Sequence, residues 1–166
     1  MYTTIEDFLR DWDYEWNATV KMIRSIDEKK FHLKPHPDVR SCAQLSSHIA
    51  LTIAEMLSKT GLNFEHYDED SDCMWTVKEV SHCYETFARD AAQLIRSNWN
   101  DEKLKESINM YGETCTHAGV LSSLIKHQIH HRGQLSVVMR LLDMPVHGIY
   151  GPAREEWAAM GLPEME

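Results

Sequence analysis

The sequence predicts an all-α protein built as a four-helix bundle, and three observations carry that reading. Four stretches place apolar residues at three- and four-residue steps, the period of a helix with one buried face. Prolines, glycines and polar runs separate these stretches. Two of them open on a Ser/Thr-x-x-Gln/Glu capping signature. At 166 residues the chain is long enough for one domain with a real core, spanning 1–166, and too short to expect two.

The first helix is expected from about Thr4 to Asp27, with Ile5, Phe8, Leu9, Trp12, Trp16 and Ile23 along its stripe. Thr4 and Asp7 resemble a cap at its start. Pro35 and Pro37, on either side of His36, forbid a continuing helix. Ser41-Cys42-Ala43-Gln44 then caps a second helix running to about Lys59, with Gly61 as its stop. Its inward stripe reads Leu45, His48, Leu51 or Thr52, and Glu55. Gly61 to Trp75 is acidic, with Asp68, Glu69, Asp70 and Asp72, and reads as a solvated loop.

Thr76-Val77-Lys78-Glu79 opens a third helix to about Asn98, with Val80, Tyr84, Phe87 and Ala91 among its apolar positions. A polar connector, Asn100 to Glu113, holds one short extended piece around Ile108 to Tyr111. The fourth helix starts near Thr114 or Thr116 and runs to Leu142, where Asp143-Met144-Pro145 ends it. Its stripe reads Val120, Leu124, His127, His131, Gln134 or Leu135, Val138 and Leu142. Ala153 to Met160 is a candidate for a short final helix.

A net charge of −9 argues against a nucleic-acid surface and against a polybasic membrane contact. No apolar run approaches the ~18 residues of a spanning helix, and the start lacks a charged-then-apolar signal pattern. A cytoplasmic protein is the expectation. Cys42, Cys73, Cys83 and Cys115 form no Cys-x-x-Cys pair, so they read as reduced packing residues.

Ten histidines are many for this length. His127 and His131 are one helical turn apart and within roughly 40° of each other around the axis. Such a pair can share one metal ion. The third ligand is His48, on the inward stripe of the second helix. A lone core histidine is more often simply hydrogen-bonded, and helical His pairs also occur on wet faces. Three on buried stripes need a common explanation, because each unpartnered buried imidazole costs roughly 1–3 kcal/mol. A divalent metal supplies one, and imidazole suits zinc, nickel, iron or copper alike.

The neighbours have blander readings. His130 points about 60° to the other side of His127 and reads as a boundary residue. Glu55 shares the face of His48; an ordinary boundary carboxylate is the plain reading, a general base or a further ligand the sharper one. Gly133 in mid-helix costs up to about 1 kcal/mol against Ala, which a closely approaching helix would explain. Arg132 and Gln134 read as site-ordering, subunit-contact or surface-pairing residues. His32, His36, His66, His82, His117 and His147 read as structural or exposed.

These residues also carry a family resemblance. His127-x-x-His130-His131-Arg132-Gly133-Gln134 resembles the late-helix motif of the DinB-like family. Ser41 to His48 resembles the segment leading to that family's first metal histidine. Arg140 to Pro145 and Gly148 to Pro152 resemble its usual ending. The resemblance implies an up-down-down-up bundle like that of the YfiT-like metalloenzymes, in a homodimer. It implies a metal, zinc or nickel, on one histidine of the second helix and two of the fourth, here His48, His127 and His131. Relatives include thiol-dependent transferases and isomerases. The expected function is therefore metal-dependent transfer of a low-molecular-weight thiol to a small electrophile. The alternatives are a metal-dependent small-molecule hydrolase and a non-catalytic, dimeric metal-binding stress protein. The aromatic and Met content of the first helix and the tail would suit a dimer face.

Overall fold

Four long helices carry the architecture: α1 (Ile5–Arg24), α2 (Cys42–Ser58), α3 (Val77–Asn98) and α4 (His117–Leu141). The computed structural model describes residues 1–65 and 76–163. The acidic run at 68–72, with His66 and Cys73, lies outside them. Each helix starts on a side-chain cap. The Thr4 hydroxyl accepts the Asp7 N–H at 3.1 Å. Ser41 with Gln44, and Thr76 with Glu79, close reciprocal capping boxes. Thr116 accepts the Gly119 N–H at 3.1 Å. These bonds satisfy donors that a helix start leaves bare, each contributing roughly 1 kcal/mol.

α1 packs on α3 and α4, and α2 packs on the same two helices. The shared core holds Phe8, Trp12, Ile49, Ile53, Tyr84 and Leu124, all fully buried. Burying each such side chain contributes about 1.5–3 kcal/mol. The Trp12 indole N–H donates to the Ala88 carbonyl at 2.9 Å, which fixes α1 against α3. Among the described residues no helix is long and apolar enough to cross a membrane.

The structure corrects the sequence reading in two respects. First, the chain is mostly helical, not all-α. The connector after α3 contains a hairpin, β1 (Ser107–Met110) antiparallel to β2 (Glu113–Thr116), with Ser107 opposite Thr116. Tyr111 and Gly112 form its two-residue turn at φ 54° and 86°, the left-handed pair that matches strand twist. A single extended piece at Ile108–Tyr111 was half of this unit. Second, the histidines do not lie on the deepest stripes. On α4 the buried line runs through Leu121, Leu124, Gln128, Arg132, Leu135 and Met139, and on α2 through Leu45, Ile49, Ile53 and Leu57. His48, His127 and His131 sit beside those lines, half-buried. The expected short final helix is present as α5 (Arg154–Trp157), followed by a 3-10 turn at Ala158–Met160.

Candidate metal centre

α2 and α4 meet so that His48 faces the His127/His131 pair. His48 Nε2 lies 3.2 Å from His127 Nε2 and 3.1 Å from His131 Nε2. One ligand atom from each of the three lies within 4.8 Å of the others. An ion held ~2.0–2.1 Å from each nitrogen at the tetrahedral angle would set them ~3.3 Å apart. The three imidazoles could therefore hold a metal ion.

The protonation chemistry points the same way. Burial, then His131 and Arg40, push His48 down to about 4. Burial, His131 and His48 push His127 down to about 4 as well. His131 is lowered too, mainly by burial. All three rings are thus neutral near pH 7, the form that binds metal. The His131 Nδ1–H donates to Gln134 Oε1 at 2.7 Å, which puts a lone pair on Nε2. His48 Nε2 holds at most one hydrogen, and can aim it at only one neighbour. In any neutral arrangement at most one of the two contacts can therefore be a hydrogen bond, and the other is left unsatisfied, a mismatch a cation would relieve.

Gln134 spans two rings, because its Nε2 also reaches His130 Nε2 at 3.2 Å. His130 is exposed and touches His131 only through this amide and an edge-on ring contact. It stands at the boundary, as its angular position suggested. His127 is less well supported: its Nδ1 is buried with no hydrogen-bond partner among the described residues.

Two clefts flank the triad. One, of about 430 Å³, is lined by His48, His127, Thr52, Glu55, Tyr111 and their neighbours. The other, of about 700 Å³, begins at His131 and runs along Arg40, Leu45, Val137, Val138 and Leu141. Glu55 does not join the histidine group. Its Oε2 accepts the Tyr111 hydroxyl at 2.5 Å and its Oε1 pairs with Lys59 Nζ at 3.1 Å. Tyr111 escaped the sequence reading because the hairpin turn delivers it from far along the chain. Gly112, between two alternating four-residue runs, was the available signal.

Two further readings are corrected. Arg132 is not a surface residue: it is 2% exposed and binds Glu15 Oε2 at 2.5 Å, the Glu15 carbonyl and Thr19 Oγ1 at 3.0 Å, and the Tyr150 hydroxyl at 2.6 Å. Gly133 has no helix against it; nothing lies within 4 Å of where its Cβ would stand. Of the remaining histidines, His117 is buried against Trp99 and bonds the Glu106 carbonyl, while His32, His36 and His82 are exposed. Among the described residues Cys42, Cys83 and Cys115 form no disulfide, and none lines either cleft.

Fold and site together define a mostly helical protein with an open three-histidine centre, a combination that comparison with known proteins places in a family. The DinB family model matches residues 1–165, and the chain belongs to that family. It is similar to the uncharacterized protein YrdA of Bacillus subtilis (strain 168), with 33% identity over 162 residues, covering 98% of this chain and 97% of the relative. A crystal structure of a DinB-like protein from Bacillus cereus ATCC 10987 superposes with a TM-score of 0.85 at 32% identity, covering 90% of this chain and all of that one. The DinB-like protein YjoA of Bacillus subtilis shares the fold, with a TM-score of 0.68 at 18% identity over 89% of this chain and 99% of its own.

Proposed function

We propose that this chain is a divalent-metal-dependent enzyme that transfers a low-molecular-weight thiol to small electrophiles. In this reading it works in the cytoplasm as a single-domain homodimer, with its long helices in an up-down-down-up four-helix bundle. The observation that carries the proposal is the convergence of three neutral imidazole Nε2 atoms at a rim between two clefts. Bound there, zinc or nickel would supply a Lewis acid that lowers the pKa of a thiol, so that thiolate is present near neutral pH.

The chain's own residues have separate tasks. His48, His127 and His131 hold the ion, and Gln134 fixes the tautomer of His131. The Tyr111 hydroxyl, donating to Glu55, keeps a proton at the edge of the smaller cleft. The nucleophilic sulfur comes from the cosubstrate: no described cysteine lines either cleft, and burial pushes the Cys42 thiol up to about 11.

The Tyr111–Glu55 pair beside His48 and His127 favours one second reading, a hydrolase in which these groups move protons for an attacking water. A closed structural site is less well supported, because both oxygens of Glu55, the named fourth-ligand candidate, are engaged elsewhere. The test is elemental analysis of tag-free protein after incubation with zinc or nickel. About one ion per chain is expected, lost in His48→Ala, His127→Ala and His131→Ala; absence of metal from the wild type sinks the proposal. Turnover of a model electrophile should then require added thiol, and turnover without it moves the assignment to the hydrolase.

A further inference from the structure

We propose that the larger cleft, between residues 38–45 and the second half of α4, binds an anionic small molecule with an apolar body. Its negative group would lie against Arg40 and its body along Leu45, Val137, Val138 and Leu141. This names a substrate class for the function above and rests on that reading only for what happens to the ligand at the histidines.

The cleft has the right size and chemistry. Its volume of about 700 Å³ lies within the ~300–1,000 Å³ range of small-molecule sites. Its walls are mainly apolar, and Val137 and Leu141 leave more than half their surface to water, at 58% and 60%. One end is polar, and there the cleft opens on His131 and Arg40. Arg40 is exposed and makes no hydrogen bond or ion pair among the described residues. Its charge is close enough to His48 and His131 to help lower both. A planar guanidinium beside an apolar trough suits a carboxylate or similar anion. Asp38, on the same rim, is turned toward His36: its carboxylate lies 3.8 Å from His36 Nδ1, which accepts the Asp38 N–H at 3.2 Å.

Gly133 adds an independent observation. A mid-helix glycine costs up to about 1 kcal/mol against Ala, and no packed neighbour explains it here. It lines the cleft next to His131, so any side chain at 133 would stand in the space the ligand needs.

The experiment titrates octanoate and its neutral isostere octanamide calorimetrically into metal-loaded full-length protein, with metal per chain measured on the same samples. Octanoate should bind one per chain, about tenfold tighter than octanamide, as one charge-assisted contact allows. Arg40→Gln should bring octanoate down to the amide's affinity. Gly133→Met should bind neither compound, yet keep its metal and unfold at no lower temperature. Equal binding of the two compounds to wild type, or an unchanged Arg40→Gln or Gly133→Met, overturns the proposal. If octanoate fails to bind and Val137→Glu splits a dimer into monomers, the cleft is a contact between copies and the proposal is likewise overturned. The octanoate pattern without any metal would support the cleft and sink only the metal-dependent function.

Discussion

Helix α4 carries two polar clusters, offset by one residue in sequence and opposite in character. Gln128 and Arg132 face the core, at 0% and 2% exposure, and every group around them is matched. The Tyr84 hydroxyl donates to Gln128 Oε1 at 3.1 Å, and Gln128 Nε2 donates to the Ile49 carbonyl at 3.0 Å. Glu15 accepts both Arg132 and the Tyr150 hydroxyl. One position back, His127 and His131 look sideways to α2, half-buried, with one close nitrogen contact left without a hydrogen bond and one ring nitrogen orphaned. The closed cluster is complete and holds helices together. The open one is completed only by something added. Polarity buried with its partners is architecture, and polarity at a rim without them is an address for a ligand.

The largest expected effect breaks the closed side. Arg132→Ala leaves the Glu15 carboxylate buried without its cation, and urea unfolding should show a loss of about 3–5 kcal/mol. Replacing both members, Arg132→Met with Glu15→Leu, should recover much of it; no recovery would mean that the pair does more than satisfy itself. Gln128→Leu strands the Tyr84 hydroxyl and the Ile49 carbonyl and should cost about 1–3 kcal/mol.

On the open side the effect moves from folding to metal. Gln134→Ala removes the partner that orients His131 and should weaken metal binding about 10–100-fold, measured by competition with a chelator. The unfolding midpoint of the metal-free protein should barely change. A large drop in that midpoint would erase the contrast between the clusters.

The smallest effect is on pH dependence. The fold holds His48 and His127 near 4, against an ordinary value of 6.5, so the unfolded chain takes up protons first. Their contribution to metal-free stability is therefore present above about pH 6.5 and is lost as pH falls toward 4. Melting temperatures across that window should decline less steeply in the His48→Ala, His127→Ala double variant. Both rings are only half-buried, so the difference is a modest one.

The three histidines were legible because helical period alone decides which residues share a face. Their depth was not. α4 has apolar residues around its histidines, Leu124 and Ile125 before, Ile129 between and Leu135 after, so the pattern allows more than one rotation about the axis. What sets the rotation is Arg132 reaching Glu15, 117 positions earlier, and no local pattern announces such a pairing. Helix starts were legible because caps are local, whereas the second strand was hidden by a Tyr-Gly turn that lacks the usual Asn or Asp before the glycine.

That turn shows stability and use pulling apart. At φ 54° Tyr111 occupies backbone territory where Asn or Gly would be more comfortable. Yet its long side chain reaches across so that its hydroxyl donates to Glu55. Tyr111→Asn should therefore give a hairpin that folds more willingly and a cleft that has lost one wall. A chain optimised for endurance alone would make that exchange; this one keeps the less comfortable residue where the histidines open to solvent.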